Sequence, residues 1–159
     1  MPRHSYSYKA LNSLVGKAIH RYGMIADGDR IAVGLSGGKD SMTLLWALAE
    51  RLKRVPVDYT LLPIYVDPGF PGGFAESLST ACRQMGFDLH VDRSDHGPMA
   101  HSDANRENPC FLCARMRRKR LFQTADNLGC RKLALGHNKD DVIETLFMNI
   151  CYAGEISTM

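Results

Sequence analysis

Residues 35–41, LSGGKDS, place two glycines, a lysine, two serines and an aspartate between the apolar run IAV and the helix-forming stretch MTLLWALAE. Those residue types suit an anion. Gly37 and Gly38 permit backbone geometries barred to other residues and let a phosphate approach main-chain N–H groups closely. A helix beginning at Lys39 or Asp40 turns its positive end toward the same anion. Lys39 adds a mobile charge, and Ser36 and Ser41 add hydroxyl donors. Asp40 would repel a bare phosphate but makes sense if it holds Mg²⁺ on a phosphate ester. The common P-loop is excluded, because it needs Gly at 33 and Ser or Thr at 40, where this chain has Val33 and Asp40. The competing reading is a plain strand–turn–helix joint that Asp40 caps.

A second polar string, GHNKDD at 136–141, also follows an apolar run. Gly136 allows a turn, and Asp140 and Asp141 fall in a first helical turn, where carboxylates are favoured. Simple capping by Asn138 and the aspartates explains it too. The third feature is Pro109-Cys110-Phe-Leu-Cys113. Five cysteines is an odd number, and in a reducing compartment this spacing favours metal binding or thiol chemistry over a disulfide. From the residues alone, a redox pair, a zinc site completed by His96 and His101, and two inert thiols all stay open. Cys82 and Cys130 are expected in the core. Directly after the pair, Arg115, Arg117, Arg118, Lys119 and Arg120 cover too wide an arc for one amphipathic face. A solvated charged face is the default, and contact with nucleic-acid phosphates is the sharper reading. Arg117 and Arg118 could instead turn toward the phosphate crevice.

The elements that must position these groups alternate. Apolar spacing predicts a helix over 6–25, a strand at 30–36, a helix over 39–54 and a strand at 57–67. A loop follows at 68–73, then a helix over 74–86 and a strand at 87–92. Residues 93–109 are polar and aperiodic, which predicts a long mobile loop. A basic helix over 111–128, a strand at 131–137 and a final helix from 138 to 153 complete the chain. Strands alternating with helices predict an α/β fold, a parallel sheet covered on both faces, with ligands at the carboxyl ends of its strands.

At 159 residues, with 45% apolar and 23% charged residues, the chain predicts one globular domain over 1–159. The net charge of +3 is uninformative beside its clustering. No window reaches transmembrane length, and MPRHSYSYKALNSL lacks a signal-peptide core, which predicts a cytoplasmic protein.

SGGKDS resembles the PP-loop of the N-type ATP pyrophosphatases, a family that includes tRNA thiolases, the tRNA-Ile lysidine synthetases and, further away, GMP synthetase. The resemblance implies that Leu35 to Ser41 grip the pyrophosphate end of ATP and help activate a carbonyl oxygen by adenylation. It implies adenine contacts through backbone groups around Tyr65, Val66 and Asp67. It places Gly136, His137, Asp140 and Asp141 over the nucleotide, with His137 and Asp140 near phosphates or metal. PCFLCARMRR narrows the likeness to the tRNA 2-thiocytidine synthetases, in which such a pair binds a [4Fe-4S] cluster with a third cysteine further along. The implied function is ATP-dependent thiolation of a tRNA cytidine, with Lys39, Asp40, Cys110 and Cys113 as its catalytic groups and a sulfur donor protein or sulfide as partner. A homodimer is left open. The alternatives are another PP-loop ligase or thiolase, and a binding module without turnover. Members of that family continue past the final helix, and Cys151 does not match the third position. The chain is therefore expected to fold and bind ATP yet carry little intact cluster.

Overall fold

The computed structural model describes residues 5–106 and 108–158. Its elements follow in the order α1 (Tyr6–Arg21), β1 (Asp29–Gly34), α2 (Lys39–Leu52), β2 (Tyr59–Asp67), α3 (Ala75–Gln84), β3 (His90–Arg93), α4 (His96–Ala100), α5 (Pro109–Asn127), β4 (Lys132–Leu135) and α6 (Lys139–Met148). A π-helical turn, Asn149–Ala153, extends α6. The four strands form one parallel sheet in the order β3-β2-β1-β4. The α/β expectation holds, and the order reverses between β1 and β4, the point at the carboxyl edge where sheets of this kind form their ligand crevice.

Alternation along the strands divides the core into two layers. Ile31, Val33, Leu35, Leu61 and Tyr65 pack with Leu45, Leu48 and Leu78 of α2 and α3. Ala32 and Ile64 face the other way and pack with Ala125 of α5, Leu121 and Leu133. Cys82 and Cys130 are buried, as expected, and burial pushes both thiols up. The Tyr59 hydroxyl donates to the Leu48 carbonyl at 2.7 Å, tying β2 to α2. α1 lies on α2 with Gly16 against the Arg51 guanidinium, where a Cβ would stand 2.1 Å from a terminal nitrogen.

The structure departs from the sequence reading in several places, beginning with α1, which ends at Arg21 short of 25, and β3, which begins at His90 instead of 87. The stretch 93–109 holds a short helix, α4, instead of being loop throughout; His96, Gly97 and Ala100 are buried, and the Gly97 N–H donates to the Pro68 carbonyl at 2.8 Å. Residue 107 of that stretch, like 1–4 and 159, lies outside the described residues. The basic helix begins at Pro109, two residues early, because the Asn108 side chain accepts the N–H groups of Cys110 and Phe111 at 3.0 and 3.2 Å. The last helix changes to π geometry at Asn149. Among the described residues, no helix is long and apolar enough to cross a membrane.

Candidate functional site

The phosphate-loop residues meet at one corner. Gly37 has φ +79°, in the left-handed region, and Gly38 is the N-cap of α2 without a side-chain cap. Ser41 closes the loop. Its hydroxyl donates to the Gly38 carbonyl at 3.0 Å and accepts the Ser36 N–H at 3.2 Å. With its one proton spent, it must accept from the Ser36 hydroxyl at 3.3 Å. The Ser36 hydroxyl in turn accepts the Gly38 N–H at 3.3 Å. Both serines therefore hold the loop's shape, where the sequence suggested direct donors. The N–H groups of Lys39, Asp40 and Ser41 have no acceptor within α2, since a helix leaves its first turn unsatisfied. Lys39 and Asp40 are exposed beside them.

The loop after β4 is packed onto this corner. A Cβ on Gly136 would lie 2.8 Å from both Cα and N of Ser41 and 2.9 Å from the carbonyl carbon of Asp40. Only glycine lets the two backbones approach this closely. Asn138 accepts the N–H groups of Asp140 and Asp141 at 2.8 and 3.1 Å, and the Asp141 carboxylate accepts the Asn138 N–H at 2.7 Å. This capping box uses Asp141 for α6. His137 and Asp140 are exposed at the same edge.

β2 outruns β1, whose last pairing is Gly34 with Ile64. Successive residues of a strand turn their backbone groups to opposite neighbours. The Ile64 carbonyl accepts the Leu35 N–H on the β1 side, and the Asp67 carbonyl accepts the Ser94 N–H on the β3 side. Val66 has the parity of Ile64, so its N–H and C=O face the crevice past the end of β1. Of the three adenine-contact residues expected, Val66 alone presents its backbone there; the Asp67 carbonyl also accepts from the Ser94 hydroxyl, and its carboxylate accepts the Gly69 N–H. Burial pushes the Tyr65 phenol up, Asp67 adds to that, and the Arg117 charge opposes it.

The thiols and the basic run lie on α5. Cys110 is exposed and Cys113 half-buried, one turn apart. Among the described residues, no three His, Cys, Asp or Glu side chains converge to hold a metal. The donors present thus do not complete a cluster, nor the zinc site considered above. His96 is buried with its Nδ1 bonded to the Ser94 hydroxyl, and burial with nearby Arg120 and Arg117 pulls its pKa down. His101 packs edge-on against Phe70, ring centroids 5.6 Å apart. Arg120, expected to face tRNA, is paired within the chain: Nη2 and Nε hold both Asp92 oxygens at 2.5 and 3.1 Å, and Nη2 also reaches the Arg93 carbonyl. The Arg117 charge bears on both Tyr65 and His96, and its side chain is exposed. Arg115 stacks over Phe111, 5.6 Å from its centroid. Arg118 and Lys119 are exposed.

Sequence reasoning missed Phe74, which lies against Gly37. The only local sign of it was a large apolar residue at a helix start, directly after two glycines. Two cavities of about 520 and 350 Å³ lie elsewhere, along α3 and β3 and beneath α1, and neither is lined by residues of the two loops.

Comparison with known proteins matches residues 7–157 to the PP-loop domain family. The tRNA-cytidine(32) 2-sulfurtransferase of Geotalea daltonii is 43% identical over 153 residues, covering 96% of this chain and 61% of the relative. That of Geobacter sulfurreducens is 41% identical, with 96% and 60% covered. Among solved structures, the U34-tRNA thiolase NcsA from Methanococcus maripaludis with its [4Fe-4S] cluster superposes with a TM-score of 0.81 at 29% identity, over 94% of this chain and 50% of that one. The chain thus spans about 60% of the length of these curated relatives.

Proposed function

Because the chain belongs to the PP-loop family, we propose that it is the ATP-handling portion of a tRNA-cytidine thiolase. The observation that carries this reading is the contact of Gly136 with Ser41, which joins the two expected nucleotide loops at the point where strand order reverses. Phosphates of ATP lie on the unsatisfied N–H groups of Lys39, Asp40 and Ser41, with the Lys39 ammonium neutralising charge as pyrophosphate departs. Asp40, and Asp140 exposed at the same edge, offer carboxylate oxygens to a nucleotide-bound Mg²⁺. The adenine edge meets the N–H and C=O of Val66.

The cytidine C2 oxygen attacks the α-phosphorus and pyrophosphate leaves; hydrosulfide then adds at C2, and AMP departs with the former C2 oxygen. Arg117, Arg118 and Lys119 supply phosphate contacts for the tRNA. Cys110 and Cys113 are the thiols this chain offers to the sulfur step, and the atom arrives at the sulfide level, as free sulfide or released by a donor protein. The described donors do not complete a cluster, so these residues account for the activation half of the reaction. Calorimetry tests the reading: the chain should bind ATP in Mg²⁺, and Asp40→Ala should weaken that binding about tenfold, or 1.4 kcal/mol, while metal-free binding should not weaken, because Asp40 repels an unmetallated phosphate. Equal affinity in Mg²⁺ would remove the metal role, and no ATP binding by the unaltered chain would overturn the reading.

A further inference from the structure

Phe74 occupies the N-cap of α3, where Ser, Thr, Asp or Asn would satisfy a first-turn N–H and where Phe supplies no cap. The residue is also 46% exposed, so core burial does not explain it either. A position that breaks a local rule without being buried in the core is where function is to be sought. Two neighbours fix the ring. A Cβ on Gly37 would fall 2.4 Å from its Cε2, so the ring rests against the phosphate loop. Tyr65, 5% exposed and fixed in β2, has its ring centroid 5.2 Å away at an interplanar angle of 44°. Even with these two contacts, Phe74 stays nearly half exposed. Phe70, four residues earlier, is used differently: it packs on Gly97 and His101 and fastens the loop to α4.

Phe74 therefore spans the interval between the phosphate loop and Tyr65, the residue next to Val66. Resting on the reading of Ser36–Ser41 as the ATP phosphate site, we propose that the Phe74 ring is the stacking platform for the adenine base of that nucleotide. The division of labour follows from the chemistry. An aromatic face accepts any base and supplies affinity, whereas the backbone donor and acceptor of Val66 read the base edge. Gly72, with φ +78°, makes the turn that delivers Phe74 to this position.

The test separates base from phosphates by using two probes on the full chain, MgATP and inorganic tripolyphosphate, which has no base. Phe74→Ala should weaken ATP binding about tenfold, in the range found when a base-stacking aromatic is truncated, and leave tripolyphosphate affinity unchanged. F74W should restore ATP affinity, which guards against a folding defect in the alanine variant. Lys39→Ala should weaken both probes. Equal loss of both ligands in Phe74→Ala would show that the ring only props the loop, and unchanged ATP affinity would show that it does not meet the base; either overturns the proposal. If the unaltered chain binds neither probe, the phosphate-site reading fails and the inference fails with it.

Discussion

α2 and α6 both start at the carboxyl end of a strand with a polar first turn containing lysine and aspartate, yet they are held by opposite means. α2 has no side-chain cap and buries Ser41, Leu45, Ala47 and Leu48. α6 has a complete capping box and buries none of its residues, leaving Ile143, Phe147 and Met148 about half exposed or more. Packing of an apolar face is what stabilises most helices in proteins, so α2 tolerates an unsatisfied N-terminus. That tolerance matters for chemistry. A capping side chain on α2 would compete with an anion for the same N–H groups, whereas α6 has already filled its own N-terminus with Asn138. Of the two helix starts at this edge, α2 is the one left able to take a phosphate.

The contrast can be broken at its strongest point by cutting into each helix. Leu45→Ala should cost about 2–5 kcal/mol in urea unfolding, because Leu45 is fully buried and leaves a cavity. Phe147→Ala should stay within about 0.5 kcal/mol, as expected of an exposed position. Comparable losses would show that α6 is packed in solution and that the two helices are not held differently. Next in size is the joint between the corners. Gly136→Ala should cost about 1–3 kcal/mol through overpacking against the Ser41 backbone. Amide exchange should quicken at the start of α2, and a neutral substitution there would dissociate the two loops. The smallest effect sharpens the role of capping. Asn138→Ala should lose about 1 kcal/mol of local helix stability. The readout is faster amide exchange over 140–148 with an unchanged global midpoint; a shift of that midpoint would tie α6 to the core.

What the sequence showed and what it hid follow from the range of the interactions involved. LSGGKDS was legible because its chemistry is contiguous, and β1 and β2 because their apolar runs are bounded by turns. α4 was hidden: five residues hold too little periodicity, and the burial of His96 depends on α5 and the 68–70 segment, far away in sequence. Arg120 belongs visibly to a basic run, but its partner Asp92 is 28 residues earlier, so its loss to an internal ion pair could not be read locally. The serines of the loop were seen as donors because their mutual bonding depends on the folded turn. Phe74 was overlooked for the same reason, since its meaning comes from Gly37 and Tyr65. The exposure of α6 was equally invisible, because its sequence carries both a cap and apolar residues.

The overrun of β2 past β1 has a consequence for how the chain can change. Tyr65 to Asp67 extend beyond the last β1 pairing, a ledge roughly 10 Å deep at about 3.3 Å per residue. Which backbone groups face the crevice from that ledge depends only on whether their distance from Ile64 is even or odd. One residue inserted or deleted between the pairing and the ledge would turn Val66 toward β3 and move Tyr65 from the α2–α3 layer to the α5 layer, taking the support of Phe74 with it. A change of two would restore both. The length of this strand is thus constrained in parity more tightly than its residue types are constrained in kind, so indels in β2 should be tolerated in pairs and not singly.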